Sequence, residues 1–98
     1  MYASITNFIA QNEMQMDMWI EFFKSQSAKL MNDAGAIQIS IIKTASNKAV
    51  LMNVFPNKEI ALKAREVVAD RKKQVKDLIK IETTEGEVVF NQNSLTQE

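Results

Sequence analysis

The sequence predicts an α+β fold in which four strands form one antiparallel sheet and two helices cover one face of that sheet. Apolar residues alternate at the period of a strand, then at that of a helix, in the order β-α-β-β-α-β. Only two glycines and one proline interrupt the 98 residues, so the elements are long and the loops short. The length and the 46% hydrophobic content suit a single domain over residues 1–98 with one modest core.

The first strand is predicted over residues 2–11. Ile5 and Ile9 lie on one side of it with Asn7 between them, and Phe8 lies on the other side. Both sides of this strand therefore carry large apolar residues, and an amide stands among them.

A long helix is predicted from Asn12, which can cap it, to about Asp33, with Gly35 free to end it in the left-handed conformation. At about 100° per residue, one apolar stripe is predicted to build the core. It consists of Met16, Trp19, Ile20, Phe23, Ser27, Leu30 and Met31. A second stripe lies nearly opposite and is formed by Met14, Met18 and Phe22. This second stripe is either a contact surface or pocket rim, or a set of exposed apolar residues that arises by chance.

Two strands follow as an antiparallel hairpin. The first, residues 36–43, places three isoleucines on one face: Ile37, Ile39 and Ile41. The second, residues 49–55, is apolar on both faces except at Asn53. The polar segment 44–48 between them is short enough to require antiparallel pairing.

The second helix is predicted over residues 58–79, capped by Asn57. Its expected core stripe is Ile60, Ala64, Val67, Val68, Val75 and Leu78.

The last strand is predicted over residues 80–90. Its apolar residues change from odd to even positions, which requires either a bulge at Gly86 or a tight hairpin around Glu85 and Gly86. Residues 91–98 are polar and are expected to fray.

This order of elements is the ferredoxin-like arrangement. Two helices cover only one face of its sheet, whereas the strands are apolar on both. Val50 and Met52, for example, point away from Leu51 and Phe55. A monomer would expose the uncovered apolar face, so we expect a homodimer that packs through the sheet faces.

The composition excludes several classes of function. The chain contains neither cysteine nor histidine, which removes disulfides, thiolate nucleophiles and the usual general base. No calcium-loop spacing or glycine-rich phosphate loop occurs, so we expect neither a metal nor a cofactor. The net charge of +0 gives no reason to expect nucleic acid, and Arg71-Lys72-Lys73 is read as a solvated helix face. No segment predicts a signal peptide or a membrane span, so a cytoplasmic location is the default expectation.

Four residues are candidates for binding a ligand. Asn7 and Asn53 carry amides on apolar strand faces, and such amides need partners, either from the protein or from a ligand. Arg71 falls within the apolar stripe of the second helix, where it can meet an anionic or carbonyl ligand, extend to the stripe's edge or pair with an acidic residue. Trp19 is either a simple core residue or a pocket wall with an N–H donor.

The chain also resembles the dimeric α+β barrel superfamily, and within it the antibiotic-biosynthesis-monooxygenase-like proteins. The resemblance spans nearly the whole chain. It rests on Gly35 before the second strand, the strand "AVLMNVF" ending at Phe55, the "PNKE" that follows, and the late "EGEVVF". It implies a dimer whose sheets pack into a barrel, with a pocket between sheet and helices in each subunit. Some relatives oxidise polycyclic phenols without a cofactor, and others degrade haem with a strand Asn, a Trp and a His.

Asn7 matches the position of that strand Asn. Phe55 stands where the Trp is often found, and the resemblance therefore makes it a fifth candidate for binding a ligand. Because the chain has no histidine, haem degradation is not expected. The resemblance implies a small-molecule-binding dimer that acts as a cofactor-independent monooxygenase on a small aromatic or quinol compound. Asn7 would hold a substrate oxygen, Trp19 would wall the pocket, and Arg71 would stabilise negative charge. The alternative is a non-catalytic ligand-binding or stress-associated dimer of the same fold.

Overall fold

The computed structural model describes residues 1–75 and 77–92, except for the side chains of residues 71, 72, 74 and 75. Its elements follow the predicted order: β1 (Tyr2–Ala10), α1 (Glu13–Phe22), a π-helical segment (Phe23–Ser27), α2 (Ala28–Asp33), β2 (Gln38–Ala45), β3 (Lys48–Phe55), α3 (Lys58–Val75) and β4 (Ile79–Glu87). The four strands form one sheet in the order β2-β3-β1-β4, and all neighbours are antiparallel. The predicted α+β fold class is therefore confirmed.

The helices cover the face of the sheet to which Phe8 points. On β1, Thr6, Phe8 and Ala10 are buried, whereas Ile5 and Ile9 are 41% and 36% exposed. The two sides of β1 therefore divide as predicted, and the side that carries Asn7 is the face without helices. We call this uncovered side the open face.

The predicted first helix begins at Asn12, whose Oδ1 accepts a hydrogen bond of 2.9 Å from the backbone N–H of Gln15. Its middle turn is wider than predicted, because the N–H of Ala28 donates to the carbonyl of Phe23, five residues earlier. The core stripe is nevertheless mostly as predicted. Its buried members are Met16, Trp19, Phe23, Ser27 and Met31.

The inward side of α3 differs from the predicted stripe. Ala61, Ala64 and Val68 are buried, whereas Val67 is 48% exposed. Leu78 is 55% exposed because the helix ends before it and the chain turns into β4. The predicted cap is confirmed, since the N–H of Ile60 donates to Asn57 Oδ1 over 2.9 Å. Val75 was part of the predicted stripe, and its side chain lies outside the described residues.

The predicted bulge at Gly86 is wrong, and so is the alternative hairpin. The pairing of β4 with β1 runs without a shift from Ile79 to Glu87. The strand ends at Glu87, so the apolar residues beyond it do not have to follow its alternation. Val89 and Phe90 are 93% and 78% exposed. The predicted frayed tail falls largely on residues 93–98, which lie outside the described residues.

Gly35 ends the first helical region as predicted. Its φ of +116° lies in a range that L side chains rarely adopt. A Cβ at this position would also lie 2.6 Å from Cγ2 of Ile60, so the backbone here passes directly against α3. Both features explain why a glycine occupies this junction.

A charged contact on the surface joins β2 to α1. Lys43 Nζ donates to Asp17 Oδ1 over 2.9 Å and to Glu13 Oε2 over 3.1 Å. The hydrogen bond to Asp17, followed by that to Glu13, raises the pKa of Lys43. Because these groups are exposed, the pair contributes little to stability.

Candidate ligand-binding site

A cavity of about 60 Å³ lies between the covered face of the sheet and the helices. Its lining includes members of two clusters of buried side chains, one that contains Trp19 and another that contains Phe55. A volume of this size holds a few water molecules. A ligand with an aromatic ring therefore requires the surrounding side chains to move apart.

Aromatic side chains form much of the cavity wall. Those that line it are Phe8, Trp19, Phe22, Phe23 and Phe55. The rings of Phe8 and Trp19 have centroids 3.9 Å apart, and those of Trp19 and Phe23 are stacked at 5.6 Å. Such a surface favours flat apolar ligands. Trp19 thus belongs to the core and to the cavity wall at the same time.

A row of polar side chains crosses the floor of the cavity. Ser4 of β1 pairs with Asn53 of β3 on one side and with Glu85 of β4 on the other. Directly paired residues of antiparallel strands point to the same face, so these three side chains are neighbours, and all of them line the cavity. We call Asn53, Ser4 and Glu85 the polar row.

Asn53 is the buried end of the polar row. It is 4% exposed, and its Oδ1 has no hydrogen-bond partner among the described residues. A buried acceptor without a donor costs about 1–3 kcal/mol. Native proteins rarely leave such groups without a partner, so this oxygen indicates a place for a ligand or water donor.

Glu85 and Arg65 form the charged end of the site. The Arg65 guanidinium of α3 forms an ion pair with Glu85 Oε2, and the Tyr2 hydroxyl donates to Glu85 Oε1 over 3.1 Å. The side chains of Arg65 and Glu85 are 44% and 23% exposed, so this end opens to solvent. We call it the mouth of the cavity.

The structure brings three of the sequence-predicted residues to this cavity: Trp19, Asn53 and Phe55. Asn7 lies exposed on the open face and does not line this cavity, so its role in binding a ligand stays a prediction. Arg71 belongs to α3, but its side chain lies outside the described residues, and its predicted role stays a prediction.

Sequence reasoning missed Ser4, Arg65 and Glu85. Arg65 follows the buried Ala61 by four residues and precedes Val68 by three, which is the spacing of one helix face. Glu85 follows Ile81 by four residues and so lies on the same side of β4. These spacings were available in the sequence, but the pairing of β1 with both β3 and β4 was needed to bring the residues together.

The residues of the second stripe of α1 differ in burial. Met14 and Met18 are 68% and 65% exposed on its outer side. Phe22 is half-buried and lines the cavity. The helix therefore contributes one residue of this stripe to the candidate site and leaves two in solvent.

Within the described residues, no three acidic side chains converge in a way that could hold a metal ion. None of the described helices has the length and apolar run needed to cross a bilayer.

Protein-family models and curated protein sequences do not match the chain. Solved structures do match it. A dimeric ferredoxin-like protein from an uncultured marine organism superposes with a TM-score of 0.80 at 15% identity, covering 93% of this chain and 97% of that one. This chain has the ferredoxin-like fold.

Other structures with the same ferredoxin-like fold resemble the chain to a similar degree. A proposed antibiotic biosynthesis monooxygenase from Nitrosomonas europaea has a TM-score of 0.76 at 12% identity. The match covers 92% of this chain and 100% of that one. SnoaB from Streptomyces nogalater, a cofactor-independent oxygenase, has a TM-score of 0.74 at 10% identity, over 92% of this chain and 94% of that one. The structural neighbours thus include the group that the sequence resembles. At these identities the likeness shows the ferredoxin-like fold, which hosts many functions.

Proposed function

We propose that the protein binds a small hydroxylated aromatic compound in the cavity between sheet and helices. The observation that carries this proposal is the buried Oδ1 of Asn53, which has no donor among the described residues and belongs to a cavity with aromatic walls. A phenol or quinol supplies both a flat ring and an O–H donor. Binding would therefore satisfy the amide oxygen and bury the ring against Trp19.

Oxygenation of the bound compound without a cofactor is the reaction we favour. Its support is the likeness to SnoaB, which is described as a cofactor-independent oxygenase. In such a reaction a phenol and O2 give a quinone and water. One oxygen atom enters the ring carbon, and the other leaves as water with two hydrogens from the substrate. The alternative within this proposal is a protein that binds the same compound without converting it.

The test compares a naphthol with its methyl ether, which has the same rings but no O–H donor. The chain contains one tryptophan, so its indole N–H gives a single resonance that reports on the cavity in proton–nitrogen NMR spectra. We expect the naphthol to bind about tenfold more tightly than the ether, the value of one hydrogen bond to a buried acceptor. An oxygen electrode then shows whether the bound naphthol consumes O2.

Asn53→Leu should remove the preference for the naphthol, and Asn7→Ala should keep it, since Asn7 lies on the open face. Equal affinity of both compounds for the wild-type protein would contradict the role of Asn53. A preference for a naphthalene ketone over the naphthol would mean that the amide presents its NH2 group at the buried position. Binding without oxygen uptake would favour the non-catalytic alternative.

The open face supports a second proposal, that two copies of the chain pack through their sheets. Exposed apolar residues on this face come from both β1 and β2, and they are Ile5, Ile9 and Ile42. The solved neighbours with this fold include proteins described as dimeric. A charge placed in the middle of such an interface would be buried without a partner, which is strongly unfavourable.

We therefore expect Ile5→Glu to convert a dimer to a monomer at micromolar concentration, as measured by light scattering coupled to size exclusion. Leu62→Glu is the matched control, because Leu62 is 40% exposed on α3, away from the open face. A monomeric wild-type protein, or an Ile5→Glu variant that remains dimeric, would count against this interface.

A further inference from the structure

The two ends of the cavity need different hydrogen-bonding partners. The buried end needs a donor, and the mouth can take a further acceptor. At the buried end, Asn53 Oδ1 is an acceptor to which no group in the described part of the chain donates. At the mouth, both carboxylate oxygens of Glu85 have donors, Tyr2 on one and Arg65 on the other. Each carboxylate oxygen of Glu85 therefore already accepts from one donor.

The Arg65 guanidinium has more N–H donors than its ion pair with Glu85 uses. A guanidinium carries five N–H groups in a planar fork that suits a carboxylate. Glu85 is the ion-pair partner that the described residues give to Arg65. The side chain is 44% exposed and still lines the cavity, so its remaining N–H groups can reach a ligand at the mouth.

We infer that Arg65 is a specificity residue that selects aromatic ligands with an acidic group, the carboxylate of a hydroxyaryl acid. This inference rests on the proposed function, and it specifies the class of ligand more narrowly. The ligand's hydroxyl donates to Asn53, and its carboxylate accepts from Arg65 at the mouth. One molecule thereby supplies a donor to Asn53 and an acceptor to Arg65.

The geometry of the sheet sets the length of this ligand. Asn53 and Glu85 lie on strands that flank β1, so two interstrand spacings, about 10 Å in total, separate their backbones. A single ring with adjacent groups cannot reach both ends of the polar row. Two fused rings with the hydroxyl and the carboxylate at opposite ends match this span.

A purely structural role for Arg65 predicts a different outcome. The ion pair with Glu85 joins α3 to β4, and it could serve only to hold the helix on the sheet. Loss of such a link would weaken the binding of every ligand equally. If Arg65 selects the ligand, its loss changes the ratio of the affinities for acidic and neutral ligands of the same shape. That ratio of affinities therefore separates the two roles.

The experiment uses three probes at neutral pH: a hydroxynaphthoate with its two groups at opposite ends, its neutral methyl ester, and the naphthol that lacks the carboxylate. Affinities are measured by calorimetry on the full chain. For the wild-type protein we expect the acid to bind at least about tenfold more tightly than the ester, as a charge-assisted hydrogen bond provides. This advantage should decrease as salt is added, because the mouth is open to solvent.

Variants of the ion pair test whether Arg65 causes the tighter binding of the acid relative to its ester. Arg65→Gln should abolish it, and the double variant Arg65→Gln/Glu85→Gln should abolish it too, without leaving an unpaired carboxylate that could prevent folding. Lys63→Gln is the matched control, since Lys63 is an exposed cation on the same helix and does not line the cavity. This control should keep the full advantage of the acid.

The outcomes separate the inference from the proposed function. If none of the three probes binds, both the proposed function and the inference fall. If the naphthol binds and the acid binds no better than its ester, the proposed function stands and the inference is overturned. An advantage of the acid that persists in the double variant also overturns it.

Discussion

Truncation of Phe55 to alanine is expected to lower the free energy of unfolding by about 3–5 kcal/mol. Phe55 is 1% exposed at the end of β3 and belongs to the core cluster that joins α2 and α3 to the sheet. Its removal leaves a space that its neighbours cannot fill without moving. In a chain of 98 residues this loss is a large fraction of the total stability.

Urea unfolding of the two proteins measures this difference directly. Phe90→Ala is the matched control, because Phe90 is 78% exposed beyond the end of β4 and should change stability by less than about 0.5 kcal/mol. A loss below about 1 kcal/mol for Phe55→Ala would show that the surrounding residues close the space. Such a result would also favour Phe55 as an adaptable cavity wall over a fixed core residue.

The fold was predictable because its signals are local. The caps at Asn12 and Asn57 and the stop at Gly35 each depend on a few neighbouring residues, and all three are present as predicted. Most of the apolar stripe of the first helix is buried despite the π-helical turn, in which Phe23 and Ser27 both stay buried. The predicted bulge at Gly86 failed because the strand was extended beyond Glu87, where it ends.

The site was less predictable because it depends on contacts between distant segments. Both sides of β1 are apolar, so alternation alone cannot say whether Asn7 or Thr6 faces the helices. The structure turns Thr6 inward and thereby makes Asn53 the buried amide. The polar row arises only when Ser4 pairs with residues 49 and 81 positions further along the chain. Periodicity within a single strand carries no information about such pairing.

Asn53 is expected to be retained at a cost in stability, and its replacement by leucine should therefore stabilise the protein. Leucine has nearly the shape of asparagine and requires no hydrogen bond, so the penalty for the unpaired Oδ1 disappears. We expect the free energy of unfolding to rise by about 1–3 kcal/mol. The same substitution should remove the preference for hydroxylated ligands. A gain in stability at the expense of binding is common when a functional residue is replaced.

Asn47→Leu provides the opposite case. The Nδ2 of Asn47 donates to the carbonyl of Ala10 over 3.1 Å, so its side chain already has a partner. Its replacement should lower the free energy of unfolding by about 1 kcal/mol, as measured by the same urea titrations. If the free energy of unfolding rises for Asn53→Leu and falls for Asn47→Leu, Asn53 is an amide that is kept for binding a ligand. A loss of stability on Asn53→Leu would instead show that an internal water already satisfies Oδ1, and the cavity would then bind its ligand without that oxygen.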